Sequence, residues 1–134
     1  MGDGTEPIDD DELLYRRVPL VHFNQSNDPK PTPEAFRPHP NDTTGLSVSR
    51  ARYKSVEQVA QNSRNKRYYV AVLRAGDLRA NGIAVEPRPK PPDDSGHAEL
   101  PGLTYDHRKD DCVEEWKVLL AERLCLRVEG PFPT

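Results

Sequence analysis

Prolines gather in two stretches of this chain, and they limit where regular structure can form. Residues 29–40 contain five prolines and residues 87–92 contain four, out of 14 prolines in 134 residues. Because proline fixes φ and lacks a backbone N–H, neither stretch suits a helix interior or a central strand. Both are predicted to be extended surface loops, the first with polyproline II character.

The length of the chain fits one domain with a small core. Apolar and aromatic residues make up 34% of the sequence and the formal net charge is −3, so the chain has enough apolar residues to fold. Residues 1–11 are rich in aspartate and glycine, which predicts a disordered acidic arm. Residues 12–134 are predicted to form a single α+β domain.

Strand and helix patterns occupy the segments around the proline loops. Apolar or alternating runs predict strands at residues 18–23, 46–49, 68–73, 83–85 and 97–100. Ser55 and Gln58 form a capping-box pattern for a short central helix over residues 56–64. An apolar stripe predicts a C-terminal helix over residues 112–127, formed by Val113, Trp116, Leu120 and Leu124. We therefore expect a small mixed or antiparallel sheet with the central helix, and the C-terminal helix packed on the sheet.

Charge is distributed unevenly, with a basic middle between acidic ends. Residues 50–90 carry ten basic and three acidic side chains, whereas residues 91–134 carry five basic and ten acidic ones. A basic surface for an anionic partner is predicted from six residues of the middle segment: Arg50, Arg52, Lys54, Arg64, Lys66 and Arg67. The alternative is that acidic C-terminal side chains, Glu114, Glu115 and Glu122, neutralise this surface within the fold.

Complete catalytic and cofactor-binding motifs are absent from the sequence. It contains no P-loop, no G-x-G-x-x-G and no G-x-S-x-G, and its four histidines lack the spacing of a metal site. We therefore predict no metal and no cofactor, and we favour a non-enzymatic role.

Targeting features are also absent from the sequence. No apolar run is long enough to span a membrane, and the acidic first residues do not form a signal peptide. The two cysteines, Cys112 and Cys125, form no C-x-x-C motif, which is typical of a reducing compartment. The expected location is the cytoplasm.

Polar residues on the predicted strands support a second, catalytic hypothesis. Arg16, then the Ser47 and Ser49 pair, then Glu99 follow one another along the chain. This order resembles the Arg, Ser, Glu order of ADP-ribosyltransferase-type NAD sites. The resemblance implies that Arg16 holds cofactor phosphates and that Glu99 orients the ribose, with His97 where that family has Glu or Gln. The hypothesis requires these side chains to converge in one pocket.

The order of short motifs over residues 13–102 resembles a group of small bacterial proteins of about this length. The motifs are Leu14-Tyr15-Arg16-Arg17, Pro33-Glu34-Ala35-Phe36, Leu46-Ser47-Val48, Leu78-Arg79 with Gly82, and Pro89 followed by His97-Ala98-Glu99-Leu100. The resemblance implies a bacterial cytoplasmic protein with the fold of that group. It implies no activity, because none is established for the group.

Together these patterns favour a small accessory protein that binds a protein partner. The contacts would come from the basic surface and from the proline-rich loops, which are rigid and lose little entropy on binding. The first alternative is a nucleic-acid or nucleotide-phosphate binder that uses the basic residues of 50–67. The second alternative is the ADP-ribosyltransferase-like enzyme that uses NAD.

Overall fold

A six-stranded antiparallel sheet organises the fold. The computed structural model describes residues 4–24, 30–39, 42, 44–61, 66–90, 94–104 and 115–132. The strands are β1 (Leu13–Pro19), β2 (Phe23–Asn24), β3 (Lys30–Pro31), β4 (Leu46–Arg50), β5 (Tyr68–Arg74), β6 (Glu86–Pro87), β7 (His97–Leu100) and β8 (Arg127–Phe132). The sheet has the order β6-β7-β4-β1-β5-β8, and β2 pairs separately with β3.

Short helices connect and cover the strands. They are α1 (Val56–Ala60), α2 (Ala75–Ala80) and α3 (Glu115–Leu119), and a π-helical turn over Leu120–Leu124 continues α3. Two 3₁₀ helices lie at Leu20–His22 and Pro33–Phe36. The α+β class predicted from the sequence is confirmed.

The core lies on one face of the sheet and is built by alternating strand residues. In β4, Leu46 and Val48 are buried, as the alternation predicts, and the fully buried Leu100 of β7 packs in the same cluster. Phe36 of the proline-rich stretch and Leu120 of the C-terminal helix complete this core. The C-terminal helical segment contacts the Pro33–Phe36 helix and β3.

Three of the five predicted strands occur where the sequence placed them, as β4, β5 and β7. The other two differ. The first strand ends at Pro19, and a 3₁₀ helix replaces its predicted second half. Residues 83–85 form no strand. Ile83 and Val85 are buried in the loop after α2, where the Ile83 N–H donates to the Leu78 carbonyl at 2.9 Å. Their apolar character therefore reflects core filling rather than strand pairing.

The two predicted helices are shorter than their patterns indicated. The Ser55 capping box is confirmed, but α1 ends at Ala60. The C-terminal helix is described from Glu115 to Leu124, and its predicted residues 112–114 lie outside the described part of the chain. The predicted continuation of the helix to residue 127 is wrong. The Leu126 N–H donates to the Val72 carbonyl of β5 at 2.8 Å, and β8 begins at the next residue and pairs with β5.

Residues 4–11 pack against the domain, so the predicted disorder of the arm is wrong for this part; residues 1–3 lie outside the described chain. Ile8 is only 3% exposed and joins the core. The acidic side chains meet basic ones, since Arg74 pairs with Asp11 and Arg79 pairs with Asp10, each at 2.8 Å. The acidic composition therefore holds the arm to the domain instead of keeping it in solvent.

Arg50 connects the arm to the sheet from a fully buried position. Its Nε and Nη2 donate to the two carboxylate oxygens of Glu12 at 2.8 and 2.9 Å. Nη1 donates to the Gly4 and Glu6 carbonyls at 3.3 and 3.0 Å. The alternation of β4 points Arg50 inward, and a buried guanidinium requires both a counter-charge and acceptors. The arm supplies both.

Glu6 attaches the N-terminal part of the arm to the residues that follow β4. The Tyr53 hydroxyl donates to the Glu6 carboxylate, and Arg52 Nε lies 3.5 Å from the same carboxylate. The Tyr53 hydrogen bond, together with a backbone hydrogen bond and the charges of Arg50 and Arg52, lowers the pKa of Glu6 below its ordinary value of 4.5. The same hydrogen bond raises the pKa of Tyr53 above 10.0.

We expect the docking of the arm to weaken in acid. A carboxylate with a lowered pKa stabilises the fold above its ordinary pKa, here 4.5, and that stabilisation is lost as the pH falls through the folded-state value. Glu6→Gln should therefore lower the urea midpoint at pH 7, and the difference from wild type should shrink in acid. Urea unfolding followed by circular dichroism measures both midpoints. Asp9→Asn removes the same charge from an exposed arm position and is the control; a difference that does not change with pH would contradict the assignment.

Candidate functional site

The candidate site lies where strand β4 stops pairing with strand β1. β1 pairs with β5 through seven residues, Leu13–Pro19, but its pairing with β4 is confined to Leu14 and Tyr15. Beyond Tyr15 the two strands diverge, so the backbone of β4 faces a gap instead of a partner strand. Backbone groups in such a gap need other partners.

Arg16 fills this gap with its guanidinium group. Nη1 donates to the Ser47 carbonyl at 2.8 Å, and Nε donates to the Ala35 carbonyl at 2.8 Å. Nη2 donates to the Arg37 carbonyl at 3.2 Å. A guanidinium has five N–H groups, so two remain for which the described residues provide no acceptor.

The charge of Arg16 has no counter-charge in contact with it. Within the described part of the chain, no carboxylate lies at ion-pair distance from this guanidinium. Burial lowers the pKa of Arg16 to about 10, although the charge of Asp42 opposes the shift. A desolvated cation with unused donors favours an anion, because an anion supplies both the counter-charge and the missing acceptors.

The first proline-rich stretch forms the opposite wall of the gap. Its prediction as a wholly extended loop is wrong, because Pro33–Phe36 turns into a 3₁₀ helix. Phe36 is fully buried and Ala35 is nearly so, and these two residues anchor the turn. The anchoring holds the Ala35 and Arg37 carbonyls against Arg16.

Ser47 and His97 bring a hydroxyl and an imidazole to the floor of the site. Ser47 of β4 pairs with Glu99 of β7, and Ser49 pairs with His97, so Ser47 and His97 are diagonal neighbours on one face. His97 Nε2 lies 3.2 Å from Ser47 Oγ, and His97 Nδ1 lies 2.8 Å from the Arg88 carbonyl. Ser47 Oγ also lies 3.2 Å from Asp42 Oδ1.

These groups share one cleft with a volume of about 720 Å³. Its cationic and imidazole side chains are Arg16, Arg17, Arg37, His22, His39 and His97, and the wall also includes Tyr15 and Tyr68. Glu34 is the one carboxylate among the described lining residues, and it already pairs with Arg37 at 3.6 Å. The cleft is therefore cationic even with all its histidines neutral.

The structure brings together three of the four residues of the proposed catalytic pocket. Arg16, Ser47 and His97 line the same cleft. Glu99 lies opposite Ser47 in the sheet but is not among the described lining residues, and its carboxylate accepts a hydrogen bond from Thr44 Oγ1 at 2.8 Å and lies 3.9 Å from Arg88 Nε. The ribose-orienting role that the resemblance gave to Glu99 stays a prediction.

The predicted basic surface is largely neutralised within the fold. The expected surface position of Arg50 is wrong, because its side chain is fully buried against Glu12. Arg52 pairs with Glu6, and Lys54 pairs with Asp94 at 3.1 Å. The described partners are arm residues and Asp94, which follows the second proline-rich stretch, instead of the C-terminal acids. Two of the remaining residues, Lys66 and Arg67, are exposed, whereas Arg64 lies outside the described residues.

Several residues of the cleft were not predicted from the sequence. Arg37 and His39 line the cleft from the proline-rich stretch, for which the sequence predicts only a loop, and Asp42 follows that stretch and contacts the lining residue Ser47. The sequence does contain a feature that could have identified Arg37 and His39. It is the presence of a basic and an imidazole side chain on either side of a proline, in Arg37-Pro38-His39. Prolines limit the conformations of such a segment, so its polar groups are held in place.

The described residues contain no group of three or more side chains arranged to hold a metal ion. In the same part of the chain, no helix has the length and apolar character that crossing a membrane requires. Comparison of the chain with protein-family models, with curated proteins and with solved structures finds no match.

Proposed function

We propose that this protein binds a phosphate-bearing small molecule of nucleotide size in the cleft, with the anionic group on Arg16. The single observation that carries the proposal is the state of this guanidinium. It is desolvated, it has no carboxylate partner among the described residues, and two of its N–H groups have no acceptor there. Phosphate oxygens match the planar fork of arginine and neutralise its charge.

The surroundings of Arg16 also favour an anion. Arg17 adds positive charge to the wall, while Arg37 and Glu34 pair with each other. Ser47 Oγ and His97 Nε2 add hydrogen-bonding groups to the same cleft. An excess of positive charge in a cleft raises the local concentration of anionic ligands, although the Asp42 carboxylate next to Ser47 reduces that excess.

The size and lining of the cleft fit a ligand larger than phosphate. Its volume of about 720 Å³ lies within the range of small-molecule sites. Tyr15 and Tyr68 provide flat surfaces, and the Arg17 guanidinium lies 4.5 Å above the Tyr68 ring. Such surfaces suit a planar base, which stacks on aromatic rings and on guanidinium groups.

This proposal retains the phosphate-binding alternative, but it places the phosphate in the cleft at Arg16 instead of on the basic residues of 50–67. The basic residues of 50–67 do not carry it, because Arg50 is buried and its neighbours Arg52 and Lys54 are paired. An NAD-using activity stays a narrower version of the same idea, in which Arg16 would hold the cofactor phosphates.

Calorimetric titration tests the proposal with a graded set of ligands: pyrophosphate, AMP, ADP, NAD and adenosine. We expect the phosphate compounds to bind at low ionic strength and adenosine to bind at least ~10-fold more weakly than AMP. Affinity for the phosphate compounds should fall as salt is added, since salt screens the charges. Equal binding of AMP and adenosine, or no binding of any phosphate compound at low salt, would reject the proposal. Tighter binding of NAD than of ADP would support the NAD-using version.

A protein partner is the second candidate, and one surface supports it. Val21 is 83% exposed and Leu20 is 41% exposed, just after the end of β1. Pro19 pairs with Tyr68, so this apolar pair directly follows one of the two paired residues, and the exposed Lys66 and Arg67 directly precede the other. An acidic protein surface with apolar residues would complement it. Pull-down with wild type and with the Lys66→Glu, Arg67→Glu double variant tests this candidate, which predicts loss of the partner only from the variant.

A further inference from the structure

We propose that Ser47 is a nucleophile, activated by His97, that attacks the phosphoester group of a ligand held at Arg16. This inference rests on the proposed function, because it gives the bound ligand a reaction. It starts from the hydrogen bonds of one imidazole ring.

The hydrogen bonds of His97 determine which of its nitrogens carries the proton. A carbonyl oxygen only accepts, so Nδ1, at 2.8 Å from the Arg88 carbonyl, must be the donor. In the neutral ring Nε2 is then the acceptor, and it faces Ser47 Oγ at 3.2 Å. This is the tautomer that a histidine base needs in order to take a proton from a serine.

Asp42 provides the alternative partner for the same hydroxyl. Ser47 has a single proton, so it donates either to His97 Nε2 or to Asp42 Oδ1, which lies 3.2 Å away. The position of Asp42 is fixed from its other side, because the His39 N–H donates to Oδ2 at 2.7 Å. When His97 carries both protons, its Nε2–H can donate to Ser47 while Ser47 donates to Asp42. Both protonation states of the ring are therefore satisfied without movement of the strands.

Rigid elements hold the reacting groups. Ser47 and His97 stand on neighbouring paired strands, β4 and β7, and His97 is only 6% exposed. Arg16 donates to the backbone carbonyl of Ser47 itself at 2.8 Å, so the cation is fixed against the backbone of the residue that carries the nucleophile. Strand positions hold a site more precisely than loops do.

The chemical step balances without a metal or a redox partner. The proton of Ser47 moves to His97 Nε2, the Ser47 oxygen bonds to phosphorus, and the bond from phosphorus to the ester oxygen breaks. The leaving alkoxide takes the proton from His97. Water then attacks the phosphoserine with the same base, which releases phosphate and restores Ser47. Arg16 stabilises the charge on the phosphoryl oxygens during both steps.

A fluorophosphonate probe tests the nucleophile independently of any natural ligand. Its reaction forms the bond from Ser47 to phosphorus and releases fluoride, and the proton passes through His97. We expect mass spectrometry to locate the label on the peptide that contains Ser47. Ser47→Ala should abolish labelling and His97→Gln should slow it about 100-fold or more. Ser95→Ala, at a turn position outside the described cleft lining, should label at the wild-type rate.

A second variant keeps the inference testable if labelling is slow for steric reasons. Ser47→Cys introduces a thiol at the same position, and iodoacetamide should alkylate it faster when His97 is present than in the His97→Gln background. Cys125 serves as an internal reference, because burial raises the pKa of its thiol. Fluorophosphonate labelling at a residue other than Ser47, or equal rates with and without His97 in both assays, would overturn the inference.

The two proposals fail separately in these experiments. Binding of pyrophosphate without any activation of Ser47 rejects the nucleophile and leaves the binding function intact. Labelling of Ser47 that pyrophosphate does not slow, in a protein that binds no phosphate compound, supports the nucleophile and rejects the phosphate ligand.

Discussion

Replacing Glu12 with glutamine is expected to lower the free energy of unfolding by about 3 kcal/mol or more. Arg50 is fully buried and both oxygens of the Glu12 carboxylate accept its hydrogen bonds. Glutamine keeps an acceptor but removes the negative charge, so the guanidinium stays buried without its main counter-charge. Arginine stays protonated at neutral pH, so this side chain does not escape the penalty by losing its proton. Urea unfolding at pH 7 measures the change.

The neighbouring residue provides a matched control. Asp11 also pairs with an arginine, Arg74, at 2.8 Å, but the side chain of Asp11 is 93% exposed. Asp11→Asn should change the free energy of unfolding by less than about 1 kcal/mol, because solvent already screens this pair. Equal effects of the two substitutions would show that the buried position of Arg50 does not determine the stability of the arm.

Replacing Arg16 with lysine is expected to weaken binding of pyrophosphate by about 10- to 100-fold. Charge-assisted hydrogen bonds contribute about 1.5–3 kcal/mol each, and lysine keeps the charge but loses the planar fork. The lysine amine also cannot reach the Ala35, Arg37 and Ser47 carbonyls with the same geometry. Calorimetric titration of wild type and variant gives the two affinities.

Arg17→Lys is the control for this comparison, since it makes the same change one residue away. Arg17 is exposed and donates to the Gln61 carbonyl at 3.2 Å. Its substitution should alter the affinity by less than about 3-fold, because surface charges contribute little and lysine preserves the charge. A larger loss in Arg17→Lys than in Arg16→Lys would place the anion elsewhere in the cleft.

The cost of keeping Arg16 charged supports a functional role for it. A pKa of about 10 for this guanidinium corresponds to roughly 3 kcal/mol of destabilisation of its charged form in the fold. A neutral amide side chain could donate hydrogen bonds to the carbonyls at the gap without the cost of a buried charge. Residues that lower stability in this way concentrate at binding and catalytic sites.

Local sequence patterns predicted the elements that depend on local physics. The alternation of Leu46-Ser47-Val48-Ser49 predicted β4, and Ser55 with Gln58 predicted the start of α1. The same alternation places Arg50 on the inward face of β4, next to Leu46 and Val48. The charge of Arg50 predicts a surface position instead. Its burial is possible because the arm, which is distant in sequence, supplies the Glu12 carboxylate and backbone carbonyls as partners.

Patterns in the sequence did not show the features that depend on long-range pairing. The divergence of β4 from β1 after Tyr15 creates the gap for Arg16, and no residue at that point signals it. The edge strand β8 was missed because Leu124 ends a helical stripe and the following residues have no strong strand pattern. The order of residues along the chain suggested that Arg16, Ser47 and His97 converge, but it could not establish this. Their convergence depends on how β1, β4 and β7 pair, because each strand carries one of the three residues.

The most direct test of the binding site is the side-chain NMR spectrum of Arg16 during a titration with pyrophosphate. A phosphate that binds the unused N–H groups changes the proton and nitrogen shifts of this guanidinium, and the ring signals of His97 change with them. We predict that these two residues show the largest changes and that Arg52 and Lys54 show none. Changes confined to Arg52 and Lys54, with an unaltered Arg16, would contradict the assignment of the cleft as the anion site.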